Sequence, residues 1–247
     1  MKRHGGKILS DQLEKLGVKR VFSVPGESFL AALDGLYDSK ITNVVCRQEG
    51  GAAMMAEAYG KMTGEVGVCF VTRGPGACNA SAGVHIAMQD STPMVLFVGQ
   101  IDNRQTDRET FQEVDYRAMF GGLAKWVAQV DDTARLPEYI ARAFRVAKSG
   151  RPGPVVLALP ENMLSAQADV PDFSGAVEQG AGRVGPDVLA GLIAAKRPMI
   201  VVGGPHWNAA AASSLERLAQ ITGAPVVTGF RRQDYMDNRH SHFAGDL

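Results

Sequence analysis

The chain has 247 residues, 45% of them hydrophobic, with Lys plus Arg and Asp plus Glu balanced at 26 each. That length holds one large domain or one and a half ordinary ones, and the apolar content is enough for a sizeable core. The balanced charge, with no basic stripe interleaved with aromatics, argues against nucleic-acid binding, and the lack of any run of about 18 apolar residues argues against a membrane span.

A helical stripe of Ile8, Leu9, Leu13 and Leu16 stops at Gly17, and a strand follows at residues 18–24. Pro25-Gly26 turns the chain into a second stripe, Phe29, Leu33, Leu36 and Tyr37, and then into a strand at 41–46. In residues 43–64, NVVCRQEGGAAMMAEAYGKMTG, the period changes from strand to helix at 47–51, where Glu49 stands ahead of Gly50 and Gly51. A carboxylate just past a parallel strand lies in the crevice where open α/β sheets bind ligands, and glycines beside it admit a flat ligand to the backbone. The plainer alternative is an acid favoured by the dipole of a helix N-terminus.

Residues 66–72 are apolar except for the last and read as a central strand covered on both faces. RGPGACN, at 73–79, leads into a helix at 79–90; such a junction suits a ligand-holding loop with free N–H groups, or simply a tight turn. It is neither G-x-G-x-x-G nor G-x-x-x-x-G-K-[ST], which disfavours a nicotinamide-dependent oxidoreductase, and without a G-x-S-x-G elbow Ser81 reads as a helix residue. After an apolar strand at 94–99, the charged stretch 101–115 is expected to be a long loop over the ligand end of the sheet. A strand at 125–130, a helix at 136–147 with Pro137 in its first turn, and a strand at 154–159 complete about six strands joined by helices.

The fold class expected is α/β, a doubly wound parallel sheet with helices on both faces. It occupies 1–165, followed by a linker at 166–183 rich in Ala, Asp, Gly, Gln and Pro. Residues 184–247 then begin a second Rossmann-like α/β unit, with helices near 188–193 and 209–221 and strands at 199–202 and 225–228. Two strands and two helices do not close a core of ordinary size, so this unit reads as truncated. The start of the chain has no apolar signal segment, so a cytoplasmic location is expected, with Cys46, Cys69 and Cys78 as reduced thiols. His85 reads as a packed or surface residue, and His240 and His242 receive no role.

The ordered segments VFSVPGESF, RQEGGAAMMAEAYGKMTG, VTRGPGACNA, QDSTPMVLFVGQ and FQEVD resemble the N-terminal pyrimidine-binding domain of thiamine-diphosphate-dependent enzymes of the acetolactate synthase and 2-oxo acid decarboxylase family. Residues 184–247 look like the start of that family's central domain. The resemblance implies thiamine diphosphate as cofactor and a small 2-oxo acid as substrate, decarboxylated with carboligation or protonation of the carbanion. It implies Mg2+ held by a third domain whose Gly-Asp-Gly…Asn motif is not found here, so the chain alone is expected to be inactive. A homodimer or homotetramer with sites shared between subunits is implied too. FAD in the central domain is compatible with the family, but no residue here speaks for it.

By the same resemblance Glu49 is catalytic: a carboxyl at the ring nitrogen N1′ favours the imino tautomer, whose nitrogen takes the proton from C2 of the thiazolium. Sharing a proton near neutral pH calls for a raised pKa, and a burial shift of two units, about 2.7 kcal/mol, outweighs a helix-dipole effect of roughly 0.3–1 kcal/mol if the site closes. Val24, Pro25 and Gly26 resemble the turn that packs on the cofactor. Thr72, Pro75 and Asn79 match residues around its aminopyrimidine, and Gln112, in FQE, matches a second catalytic residue near the reacting carbon. Gln48 stands where histidine is common and Arg73 where serine is frequent, which leaves the glutamate chemistry intact and the substrate open. The alternative is a non-catalytic binding or assembly subunit, or a remnant lacking the diphosphate-binding domain.

Overall fold

The computed structural model describes residues 2–173 and 184–247, so most of the expected linker lies outside the described residues. The chain divides into two compact units, Met1–Glu178 and Gln179–Leu247.

The first unit runs β1 (Arg3–His4), α1 (Gly5–Lys15), β2 (Arg20–Ser23), a 3-10 turn at Glu27–Phe29, α2 (Leu30–Tyr37), β3 (Thr42–Val45), α3 (Glu49–Thr63), β4 (Gly67–Val71) and α4 (Pro75–Asp90). It continues with β5 (Met94–Gln100), α5 (Tyr116–Phe120), β6 (Trp126–Gln129), α6 (Leu136–Lys148), β7 (Pro154–Pro160), α7 (Glu161–Ser165) and β8 (Gln167–Ala168). Six of the strands form one parallel sheet in the order β3-β2-β4-β5-β7-β6. They are the six read from the sequence.

Strand periodicity explains why the apolar runs are continuous. Successive side chains of a strand point to opposite faces. Phe70, Phe97 and Leu157 therefore enter one core with Ile8, Leu9 and Ile140 of α1 and α6. Their neighbours Cys69, Leu96 and Val156 enter the other with Ala53, Ala80 and Val84 of α3 and α4. A sheet covered on both faces has no polar side, so alternation is lost from its central strands. On the first face Phe70 lies between Phe29 and Phe97, with ring centroids 6.0 and 4.7 Å away. The opposite face is lined by alanines, which lets α3 and α4 lie close to the sheet and to each other.

Strand order fixes where a ligand can go. From β2 the chain crosses outward to β3 and then returns to the other side of β2 with β4. The crevice at the carboxyl ends of β2 and β4 is thus the topological switch point, the usual ligand position in open α/β sheets.

Two boundaries differ from the sequence reading. Helix α4 starts at Pro75 rather than at 79, because Gly74 serves as N-cap and Pro75 fits the first helical turn, where a missing N–H costs nothing. Of the RGPG stretch, Arg73 and Gly74 form the turn and Pro75 and Gly76 the start of the helix. The segment from Ala166 as far as Phe173 is ordered structure, not free linker. β8 pairs antiparallel with β1, Arg3 binds Asp172 and the Val170 carbonyl, and Gln12 exchanges two hydrogen bonds with the Phe173 backbone. These partners lie about 160 residues apart in sequence, beyond any local signal.

The second unit comprises α8 (Pro186–Ala194), β9 (Ile200–Val202), α9 (Ala209–Thr222), β10 (Val226–Thr228) and β11 (Phe243–Asp246), with the strands parallel in the order β11-β10-β9. Its third strand was not foreseen. The unit's core is small: Val202, Leu215, Ala219, Val226, Tyr235 and Met236, with Trp207 stacked on Tyr235 at 4.7 Å. Helix α8 has no buried residue, and Ile193 on it is 84% exposed. Among the described residues no helix is long and apolar enough to cross a membrane.

Phe70→Ala should cost ~3–5 kcal/mol and lower the thermal midpoint by roughly 10 °C, read by calorimetry; a shift within about 1 °C would contradict the three-ring core. Native-state hydrogen exchange should show β9 and β10 amides opening at lower free energy than those of β4 and β5, since their core is smaller. Equal protection in both units would contradict this.

Candidate functional site

Glu49 is the first residue of α3. Gln48, in extended conformation, caps that helix by accepting the Gly51 N–H at its side-chain oxygen, 2.6 Å away. The cap points the helix N-terminus at the carboxyl ends of β3 and β4. One Glu49 oxygen, Oε2, accepts from Asn79 Nδ2 at 2.9 Å, so the first turns of α3 and α4 meet at this carboxylate. The other oxygen, Oε1, faces Gly76. A Cβ there would lie 3.7 Å from it and 2.8 Å from Thr72 Cγ2. Glu49 itself is half-buried.

Thr72, at the end of β4, is wedged between two glycines. A Cβ on Gly26 would come within 2.5 Å of Thr72 Cβ, so the Pro25-Gly26 turn can approach β4 only because it lacks one. Val24 is tied to β4 by its N–H, which donates to the Phe70 carbonyl at 3.2 Å. Pro25 and Asn79 are exposed, as is Pro75 on the outer side of α4. Val24, Gly26, Glu49, Thr72 and Asn79, all picked out from the sequence, thus converge on the switch point, held by contacts among the strand ends.

Gln112 reaches this group through Gly74 and not through Glu49. Gly74 has φ +60°, and a Cβ on it would meet Gln112 Cβ at 2.8 Å. Gln112 is itself left-handed, at φ +65°. The loop carrying it is built, not merely solvated: Glu113 accepts from the N–H groups of Asp107 and Thr110, Gln100 donates to the Val114 carbonyl, and Asp115 caps α5. Tyr116 closes it by accepting the Gly74 N–H at its phenol oxygen, 2.9 Å away. Burial, the larger influence, pushes the Tyr116 phenol up to about 12, so it remains a neutral acceptor at physiological pH. A cleft of about 260 Å³ opens beside this loop, lined among others by Gln100, Glu113, Tyr116, Arg117 and Gln129, and Glu49 lies outside it.

Arg73 and Ser28 were not among the expected site residues. Arg73 is 7% exposed and spans the strand ends, its guanidinium paired with Glu27 at 2.9 Å and Glu161 at 3.1 Å. Its Nε is buried, with no hydrogen-bond partner among the described residues. Ser28, fully buried, bonds Thr72 and the Arg73 N–H. The partners are 44 to 88 positions apart in sequence, so only an Arg where serine is frequent hinted at them. Among the described residues no group of His, Cys, Asp and Glu is arranged to hold a metal ion.

Comparison with known proteins fits this arrangement. The model of the thiamine pyrophosphate enzyme N-terminal TPP binding domain matches residues 3–119, and that of the thiamine pyrophosphate enzyme central domain matches residues 187–247. The chain is 33% identical to the acetolactate synthase isozyme 2 large subunit of Escherichia coli, over 99% of this chain and 45% of that protein. It is 33% identical to a probable acetolactate synthase large subunit of Methanocaldococcus jannaschii, over 91% of this chain and 40% of that protein. With the acetolactate synthase large subunit of Corynebacterium glutamicum the identity is 36%, over 91% of this chain and 37% of that protein. The chain spans about two fifths of the length of the curated relatives it matches. With both domain models matched in chain order and Glu49 and Thr72 meeting at the switch point, the chain belongs to the thiamine pyrophosphate enzyme family.

Proposed function

We propose that the protein decarboxylates a 2-oxo acid with thiamine diphosphate and Mg2+, passing the carbanion to a carbonyl acceptor or a proton, and that this chain contributes the activating half of the site. The observation that carries the reading is Glu49 at the switch point, with one carboxylate oxygen held by Asn79 and the other beside Gly76, 3.7 Å from where a Cβ would stand. A Cβ at Gly76 would press on Thr72 Cγ2 at 2.8 Å and stand 3.7 Å from Glu49 Oε1, whereas among the described residues a Cβ at Gly51 would meet only Gln48 within 4 Å.

When bound, the cofactor supplies an electron sink for the carbanion left by loss of carbon dioxide. Glu49 holds a proton at Oε1 against a ring nitrogen. Asn79 fixes the carboxylate's rotation, so that Oε1 rather than Oε2 carries that proton. Val24, Gly26 and Thr72 would hold the ring, with Pro25 at the exposed edge of the same turn and Pro75 starting the helix that carries Asn79, and Gln112 would act on the substrate side. Proton sharing needs water kept out, and Glu49 is half-exposed on this unit. The reading therefore places a diphosphate-binding domain over it, holding Mg2+ and coming from the other subunit of a homodimer or homotetramer in the cytoplasm.

Calorimetric titration of thiamine diphosphate with Mg2+ into the chain, mixed with a separately expressed diphosphate-binding domain, tests this. Glu49→Gln should bind the cofactor but lower 2-oxo acid turnover by about 10²–10⁴-fold. Wild-type turnover surviving in Glu49→Gln would contradict the reading, and no binding in any mixture would favour a non-catalytic assembly subunit. Asn79→Ala should lower turnover less, by roughly 3- to 10-fold, with cofactor affinity nearly unchanged, as expected for one lost hydrogen bond to a carboxylate.

A further inference from the structure

We propose that the end of the sheet opposite Glu49 carries a second binding site, a cavity at the amino ends of β2 and β4 that takes a small organic monoanion, one carboxylate on an apolar body. The site shares no residue with the crevice and its test uses no cofactor, so it stands or falls apart from the functional reading above.

The cavity lies where two strands part. β2 pairs with β3 from Arg20 onward and β4 pairs with β5 from Gly67 onward, but β2 and β4 pair only at Phe22 with Cys69 and Ser23 with Phe70. Continued toward the amino end, that register would set Val21 against Val68 and Arg20 against Gly67, and neither pair forms. The sheet is split there, and the residues leading into both strands line a space of about 310 Å³.

The lining is of two kinds. Val18 and Val66, just ahead of the two strands, join the rings of Tyr59 on α3 and Phe144 on α6, so each face of the sheet supplies an apolar wall. The charged groups are Lys19, Arg20, Lys148 and Glu65, three cations against one carboxylate. Glu65 is paired with Lys148 at 3.5 Å. Lys19 and Arg20 are exposed and have no carboxylate partner among the described residues.

This combination selects the occupant. Apolar walls favour a body that displaces water from them, which a hydrated inorganic anion does not do. Two uncompensated cations at the solvent edge favour a carboxylate head, kept where it needs no burial, and repel an ammonium. The occupant would rest on Tyr59, which meets Phe22 edge-on with ring centroids 6.1 Å apart. Tyr59 belongs to the helix that opens with Glu49, and Phe22 to the strand that runs into Pro25-Gly26, so the site touches both elements at their far ends.

Titration of the full chain with phenylacetate, followed by the NMR signals of valine methyls and tyrosine rings, tests the site. Saturable shifts are expected at Val18, Val66 and Tyr59, with a dissociation constant on the order of 1 mM. Phenylacetamide, with the same body and no charge, and inorganic phosphate, with charge and no body, should each bind these residues at least about 10-fold more weakly. The double variant Lys19→Gln, Arg20→Gln, changed only at exposed positions, should keep the wild-type spectrum elsewhere, lose roughly 10-fold in affinity for phenylacetate and bind the amide as before. No saturable shift at these residues up to about 20 mM phenylacetate overturns the proposal. Phosphate binding as tightly as phenylacetate, or a double variant with undiminished affinity, overturns it too, since the first removes the apolar body and the second the carboxylate head from what the site recognises.

Discussion

The site depends on one constraint of chain topology: β2 pairs with β3 on one side and β4 on the other, so three consecutive strands deliver their following turns to a single crevice. The turn after β2 brings Pro25 and Gly26, the turn after β3 brings Glu49, and the turn after β4 brings Thr72. None of these groups has chemistry of its own at that position. Glu49 alone is an acid at a helix N-terminus, where the dipole favours its charge. What makes it a candidate acid-base group is the neighbour from α4 that fixes one oxygen and the glycine that clears the space before the other.

The same crevice explains the polar bracing around it. Turns at strand ends carry backbone groups that no ladder satisfies, and buried ones need partners. Here Ser28, Tyr116 and the Arg73 guanidinium supply partners or ties, each linking a turn to a residue from another strand end. The FQEVDY segment is the clearest case, because Gln112, Glu113, Asp115 and Tyr116 each hold either the loop or its contact with Gly74. A loop that must present Gln112 in a left-handed backbone conformation needs such support, since the conformation is unfavourable for a residue with a side chain.

Much of the fold was legible in the sequence because buried parallel strands are long apolar runs and the helices between them have clear stripes. Glu49 stood out because the period changes at it. The sequence was less informative wherever the deciding contact was distant. It gave no sign of β8 clamping onto β1, since a two-residue strand has no pattern. It placed the start of α4 too late, because glycine and proline read as loop although Pro75 is well suited to a first helical turn. Strand β11, with an exposed alanine and a glycine at φ +108°, lacks the apolar alternation that marks a strand. Ser28 and Tyr116 look like ordinary turn and helix residues until the fold sets them against Thr72 and Gly74.

The central claim is that Glu49 shares its proton with a ring nitrogen of the bound cofactor. Isotope-edited infrared spectroscopy of the Glu49 carboxyl, with a Glu49→Gln control, tests it most directly when thiamine diphosphate, Mg2+ and the diphosphate-binding domain are added. The account predicts that the carboxylate stretch of Glu49 is lost or strongly shifted when the cofactor binds. A carboxylate band unchanged while calorimetry shows bound cofactor would contradict it.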